Sequence, residues 1–213
     1  MLYIFDWDGT LSNSEAKIIY CMQRAAESIG VVPCSDHDVR NIIGLGLPEA
    51  IKTLHPNVSV DEITVMQKSY STHFLESDHL GVELFDGVLS TLKKIKEAGF
   101  MVAVATGKSR RGLDRMLENL DLTDFFHGSR CADETASKPN PLMLHELLNE
   151  FNVDVNNAVM VGDTEWDMAM AQKIDMPRIA VTYGAHTKER LLGFEPNLCV
   201  DHFADILTWK FAE

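Results

Sequence analysis

The sequence has few cations and no long apolar run. Lys and Arg number 19 against 32 Asp and Glu, which gives a net charge of −13. A field of that sign repels nucleic acid and anionic membranes, and no apolar stretch approaches the roughly 18 residues of a membrane-spanning helix. The N-terminus also lacks the basic and apolar regions of a secretory signal. We therefore expect neither nucleic acid nor a membrane as a partner.

The four cysteines form no Cys-x-x-Cys pair, and the eight histidines form no His-Glu-x-x-His pair. Their spacing excludes a zinc ribbon, a disulfide framework and a zinc protease motif. Scattered thiols suit a reducing compartment, so we expect a cytoplasmic protein. The sequence leaves open whether it is a monomer or a homodimer.

Short apolar runs alternate with amphipathic helical stretches along most of the 213 residues. This alternation predicts an α/β fold with a parallel sheet and right-handed crossovers. The predicted strands cover residues 2–5, 101–105, 125–131, 158–161, 178–181 and 199–201.

One interval is too long for a strand–helix–strand unit. The first strand ends near residue 5 and the second begins near residue 101, which leaves roughly 65 residues more than one crossover needs. The surplus has helical spacing, with candidate capping boxes at Ser12–Glu15 and Ser59–Glu62. We predict an all-helical cap over residues 14–80 inserted in a core of residues 1–13 and 81–213. The linkers are expected near residues 12–14 and 80–87.

Polar side chains follow four of the predicted strands, where open parallel sheets bind ligands. The four segments are Asp6-Trp7-Asp8-Gly9-Thr10, Thr106-Gly107-Lys108-Ser109, Ser137-Lys138-Pro139 and Gly162-Asp163-Thr164-Glu165-Trp166-Asp167.

Each segment also has a structural interpretation when taken alone. Asp8-Gly9 is a turn signal, Ser109 is a candidate helix N-cap and Lys138 suits a solvated loop. Thr164 with Asp167 fits a variant capping box. Chance placement of all four at successive strand ends is the poorer explanation.

The residue types suit phosphoryl transfer to a carboxylate. An aspartate is ionised at neutral pH and needs no activating base, but it repels a phosphate dianion by several kcal/mol. Mg²⁺ held by Asp6 and Asp163 would offset that repulsion, together with Lys138 and the hydroxyl of Thr106. Asp8 suits the acid/base role, because residues two apart on an extended segment face the same side.

These motifs resemble those of the haloacid-dehalogenase-like hydrolases, in the right order from Asp6 to Asp167. The resemblance implies a Mg²⁺-dependent phosphatase with a Rossmann-like core and a cap. It implies that Asp6 is the nucleophile, Asp8 the acid/base, and Thr106 and Lys138 the phosphate-binding residues. The implied metal site comprises Asp6, Asp163, the backbone carbonyl of Asp8, and Asp167 in support.

Within the family the chain is most similar to phosphoglycolate-phosphatase-like members, through its cap and the segment Arg40-Asn41-Ile42-Ile43-Gly44-Leu45-Gly46-Leu47. This likeness implies a small phosphorylated metabolite as substrate. The predicted substrate-binding residues are Thr10, Gly107, Lys108 and Arg40. Arg40 is equally consistent with a solvated helix residue.

Lys108, Arg110, Arg111 and Arg115 form a basic cluster in this acidic chain. It would raise the local potential for an anionic substrate. The alternative is a solvated helix face paired with Asp114 and Glu118.

Four other functions are alternatives. A non-catalytic interaction protein with vestigial motifs is disfavoured, because no motif residue is missing. A dehalogenase would need neither Asp8 nor Asp163, and a phospho-acceptor signalling module would carry its acceptor on the third strand rather than the first. A phosphomutase of the same family differs only in passing the phosphoryl group to a sugar instead of water, and this alternative stays open.

Overall fold

A six-stranded parallel sheet forms the centre of the protein. The computed structural model describes residues 1–77 and 80–211. The strand order is β5-β4-β1-β6-β7-β8. The strands are β1 Leu2–Phe5, β4 Met101–Thr106, β5 Gly128–Cys131, β6 Ala158–Gly162, β7 Arg178–Val181 and β8 Leu198–Val200. The predicted α/β fold is confirmed, with strand ends that differ from the predictions by at most three residues.

Helices cover both faces of the sheet, which explains why its central strand β1 is apolar throughout. Tyr3 and Phe5 face one apolar cluster, and Leu2 and Ile4 face another. The core helices are α5 Val88–Glu97, α6 Arg110–Asn119, α7 Leu142–Phe151, α8 Glu165–Gln172 and α9 Lys188–Leu192, with 3₁₀ turns at Val155–Asn157 and Phe203–Thr208. None of the helices in the described ranges is long and apolar enough to cross a membrane.

Four further helices lie between β1 and β4 and form the cap. They are α1 Glu15–Glu27, α2 Asp36–Arg40, α3 Leu47–Leu54 and α4 Val60–Glu76. They enclose an apolar cluster of their own, to which Ile18, Met22 and Met66 contribute. The predicted cap boundaries stay a prediction. Residues 78 and 79 of the predicted cap and residues 212 and 213 of the predicted core lie outside the described residues.

The two chain segments that join cap and core pair with each other. Strands β2 Ser12–Asn13 and β3 Glu83–Leu84 form an antiparallel ribbon within the two predicted linkers. The cap also contacts the core directly, because the Gly46 N–H donates to Ser137 Oγ at 2.8 Å.

The two predicted cap-domain capping boxes have different outcomes. Ser59 and Glu62 form the expected box at the start of α4. The box predicted at Ser12–Glu15 is wrong, since Ser14 is the N-cap residue of α1 and its side chain makes no capping bond. Its hydroxyl donates to Asp8 instead, which brings a linker residue to the predicted site.

Candidate active site

Three carboxylates and one ammonium group meet at the carboxyl edge of the sheet. Lys138 Nζ lies 2.6 Å from Asp6 Oδ1 and 2.6 Å from Asp167 Oδ1. Asp163 joins them, and one oxygen from each of the three carboxylates lies within 4.8 Å of the others. All four side chains are buried. Asp6 after β1 and Asp163 after β6 therefore form one compact charged cluster with Lys138 and Asp167.

The cluster carries more negative than positive charge. Three carboxylates face one ammonium group, which leaves an excess of two negative charges when all are ionised. Burial raises the pKa of Asp163 to about 7, and the charge of Asp167 adds to that rise. Burial raises the pKa of Asp6 well above its usual range, although Lys138 acts in the opposite direction.

Lys138 stays charged within this cluster. Burial lowers its pKa, but the charges of Asp167 and Asp6 raise it by more, so the net shift is upward. The amine thus offsets part of the repulsion among the carboxylates, and no second cation among the described residues forms an ion pair with Asp6, Asp163 or Asp167.

The arrangement fits a small divalent cation. Asp6 Oδ2 is buried and accepts no hydrogen bond from any described residue, so one carboxylate oxygen is left for another ligand. Carboxylate oxygens are the ligands that Mg²⁺ prefers. Gly9 keeps the space beside Asp163 open: its φ is +84°, and a Cβ there would lie 2.2 Å from Asp163 Oδ2.

Two neighbours orient Asp163. The Thr10 hydroxyl donates to Oδ1 at 2.7 Å, and the Ala185 N–H donates to Oδ2 at 2.8 Å. The segment after β7 that supplies Ala185 is missing from the sequence-based site. The sequence predicts a strand at 178–181. Gly184, three residues after that strand, was the available signal that this strand end also contributes to the site.

Asp167 caps a helix, which was one of its two sequence-based interpretations, and it also contacts Lys138. Its Oδ2 accepts from the Thr164 N–H and hydroxyl, at 3.1 and 2.7 Å, which completes the capping box of α8. Its Oδ1 accepts from Lys138. The helix cap therefore fixes the carboxylate that holds the buried lysine.

Asp8 lies beside the acidic cluster and is held separately. Its Oδ1 accepts from Ser14 Oγ at 2.5 Å and lies 2.9 Å from Lys108 Nζ. Within residues 1–77 and 80–211, no hydrogen bond reaches Oδ2. One oxygen of Asp8 is thus fixed by two donors, and Asp8 also lines a cavity.

Thr106 and Gly107 end β4 next to this cavity. The fully buried Thr106 hydroxyl accepts from the Lys108 N–H at 3.1 Å and keeps its own proton for another acceptor. A Cβ at Gly107 would lie 2.5 Å from the carbonyl oxygens of Gly44 and Leu45. Glycine at 107 therefore lets the cap loop lie directly on the strand end.

Three of the predicted substrate-binding side chains contact protein groups. Thr10 donates to Asp163, Lys108 contacts Asp8, and Arg40 forms an ion pair with Glu15 at 2.7 Å. Lys108 and Gly107 line the cavity. Substrate binding by Thr10, Gly107, Lys108 and Arg40 stays a prediction, and the observed contacts give Thr10 and Lys108 orienting roles.

The chain belongs to the haloacid dehalogenase-like hydrolase family. The family model matches residues 3–181, which contain all four strand-end segments and the cap. A solved hydrolase from Pseudomonas syringae has the same fold, with a TM-score of 0.89 and 17% identity over 98% of this chain and 96% of that one.

Curated relatives cover nearly the whole chain. A protein of Dickeya dadantii (strain 3937) named "Probable phosphatase IndB" is 31% identical over 97% of this chain and 91% of its own length. A phosphoglycolate phosphatase of Agrobacterium fabrum is 28% identical over 95% and 89%. The resemblance to the phosphoglycolate-phosphatase-like subgroup is confirmed.

Proposed function

We propose that this family member is a Mg²⁺-dependent phosphatase that hydrolyses a phosphomonoester through an aspartyl-phosphate on Asp6. The observation that carries the proposal is the buried cluster of three carboxylates around one lysine, with one oxygen of Asp6 unbonded. The phosphatase names of the curated relatives support it.

Asp6 is the proposed nucleophile, and Lys138 orients it. The 2.6 Å contact between Lys138 Nζ and Asp6 Oδ1 fixes the carboxylate, so that one of its oxygens can attack phosphorus while the other would bind the metal ion. Attack forms the O–P bond of the aspartyl-phosphate as the ester O–P bond breaks. The Thr106 hydroxyl is the proposed donor to a phosphoryl oxygen, and Lys138 would offset the negative charge that builds up.

Asp8 is the proposed acid and base. Its Oδ2 would protonate the departing alkoxide, then take a proton from the water that attacks the aspartyl-phosphate. This second attack releases inorganic phosphate and restores Asp6. Ser14 and Lys108 hold Asp8 in place through Oδ1, so both residues are positioning residues for this step.

Asp6 and Asp163 are the proposed side-chain ligands of Mg²⁺, with the backbone carbonyl of Asp8 as a third protein ligand and Asp167 in support. Bound Mg²⁺ would neutralise the excess negative charge of the cluster and of the phosphoryl group. Thr10 and the Ala185 N–H keep Asp163 oriented for this task.

The first test is turnover of p-nitrophenyl phosphate with and without Mg²⁺. We expect chelation to lower the rate roughly 100-fold or more, because the carboxylates then repel the phosphate. Phosphate release that is unaffected by thorough chelation would contradict the proposed metal dependence.

The same metal dependence should vary with pH. Because the pKa of Asp163 is raised to about 7, protons compete with Mg²⁺ below that pH. An aspartate whose pKa is raised by folding makes the metal-free fold less stable as pH rises from about 4 towards 7. Mg²⁺ should therefore raise the melting temperature clearly at about pH 8 and little at about pH 5.5. An equal rise at both values would contradict the expectation.

Replacing Lys108 by methionine tests its contact with Asp8. We expect kcat/KM for an alkyl phosphate to fall roughly 100-fold, since a poor leaving group needs the acid that Lys108 positions. The loss with p-nitrophenyl phosphate should be much smaller, because that leaving group departs without a proton.

The matched control for this variant is Lys93→Met, which removes an exposed lysine from α5. It should behave as the unmodified protein with both substrates. Equal losses with the two leaving groups, or a rise in KM alone, would instead make Lys108 a substrate-binding residue.

A further inference from the structure

A cavity of about 780 Å³ lies between the cap and the start of α6 and reaches Asp8 and Gly107. Even at roughly 30 Å³ per non-hydrogen atom, the share of a water molecule in the liquid, 2-phosphoglycolate fills on the order of 270 Å³. Cavities of several hundred Å³ usually enclose much larger ligands. The space beside Asp8 therefore exceeds what a two-carbon leaving group would occupy.

The cap side of the cavity is apolar and partly aromatic. Tyr70 and Phe74 of α4 line it as a stacked pair, with ring centroids 6.0 Å apart and planes 27° apart. Met22, Ile42 and Leu45 extend the apolar wall. Contact of this surface with an apolar or planar group contributes favourable binding free energy, whereas contact with a short polar chain contributes little.

The α6 part of the cavity lining carries two arginines that pair with no described residue. Arg111 and Arg115 lie one helical turn apart on α6 and line the cavity. Across residues 1–77 and 80–211, neither forms an ion pair or a hydrogen bond, whereas Arg110 beside them bonds to Asp114 and Glu134.

The acidic groups on this side do not cancel the two arginines. Asp114 also lines the cavity but is paired with Arg110, at 3.2 Å. Glu118 lines it as well and is the one acidic group on this helix face that forms no ion pair with a described residue. The arginines thus leave a net positive charge in a protein of net charge −13.

We propose that the substrate is a phosphomonoester whose leaving group has an apolar, ring-sized body and a second acidic group that binds Arg111 and Arg115. This inference rests on the proposed phosphatase function and replaces the small-metabolite expectation with a larger class of substrate. The phosphoryl group binds at Asp6, the body packs on Tyr70 and Phe74, and the distal carboxylate or phosphate pairs with the arginines.

Two matched synthetic phosphates test the proposal with the full chain and Mg²⁺. One is the phosphate ester of 3-(4-hydroxyphenyl)propionate, and the other is that of 4-propylphenol, which lacks the carboxylate but has a similar leaving group. We expect kcat/KM for the acidic ester to be about tenfold higher than for its neutral partner, and higher than for 2-phosphoglycolate. The preference should shrink as salt is added, because the arginines are accessible to solvent.

The variant Arg111→Gln/Arg115→Gln should raise KM for the acidic ester about tenfold and leave kcat for both aryl esters unchanged. Lys93→Gln, on an exposed face of α5, is the control and should change neither constant. A substrate-specific rise in KM supports the proposal, because loss of fold would affect both esters.

Two outcomes overturn the inference while the phosphatase function stands: equal kcat/KM for the two aryl esters, or a preference for 2-phosphoglycolate over both. If the protein hydrolysed none of the three esters and no p-nitrophenyl phosphate either, the phosphatase function and this inference would both be overturned.

Discussion

Replacing Asp6 by asparagine is expected to lower kcat/KM for p-nitrophenyl phosphate by roughly 10⁴-fold or more, as loss of a covalent nucleophile does elsewhere. An amide carries no charge and does not attack phosphorus at neutral pH. Lys138 would still hold Asp167, so the position of the amine is retained. The variant should also fail to acquire a phosphoryl group when it is quenched in acid during turnover.

The fold of the Asp6→Asn variant should survive. Burial raises the pKa of Asp6, Lys138 opposes that rise, and the charge of Asp167 adds to it, so the ionised form of Asp6 is disfavoured in the metal-free protein. A neutral residue of the same shape is tolerated there, and we expect an unchanged or higher melting temperature without Mg²⁺.

Asp124→Asn, at an exposed position, is the matched control and should leave turnover unaltered. The assignment of Asp6 as nucleophile is rejected if the variant keeps more than about a tenth of the normal turnover, which is far above the residual rate expected without a nucleophile.

Replacing Lys138 by methionine is expected to reduce both stability and turnover. The amine lies between Asp6 and Asp167, and none of its side chain is exposed. Removing one partner of a buried ion pair typically costs about 3–5 kcal/mol, because the remaining charges stay buried and unpaired. Turnover should fall roughly 10²–10³-fold, since the phosphoryl oxygens lose a fixed positive group.

Urea unfolding with and without Mg²⁺ measures the loss of stability. Added Mg²⁺ should restore part of it by neutralising the carboxylates, and the double variant Lys138→Met/Asp167→Asn should also recover part of it. The control is Lys173→Met, which removes an exposed lysine that donates to the Pro139 carbonyl at 2.9 Å, and it should change the free energy of unfolding by less than about 0.5 kcal/mol. If Lys138→Met were as stable as the unmodified protein without Mg²⁺, the amine would not be balancing the cluster.

The catalytic edge of the sheet follows from local sequence features. Strands β1, β4, β6 and β7 are recognisable because both of their faces are buried, which makes most of their residues apolar and all of them in Leu2–Phe5. In a parallel sheet all carboxyl ends share one edge, so polar residues that follow such runs must lie close together. That geometry predicted the proximity of Asp6, Lys138 and Asp163 without any knowledge of distant contacts.

Local signals were ambiguous where one side chain had two possible partners. The sequence predicts that Ser14 belongs to a capping box and that Lys108 binds substrate, yet both side chains contact Asp8. Arg40 reads as a substrate ligand but pairs with Glu15 on a neighbouring cap helix. These partners depend on how helices pack, which the spacing within one helix does not encode.

The sequence by itself determined the α/β fold and brought the acidic residues that follow its strands to one edge, because apolar periodicity and strand ends are properties of short segments. Only the tertiary structure decided that Lys108 and Ser14 hold Asp8, that Ala185 orients Asp163, and that Arg111 and Arg115 line the same large cavity as the aromatic pair of the cap. The physical reason is that these contacts join separate segments of the chain, such as those that carry Ala185 and Asp163, which meet only in the folded protein.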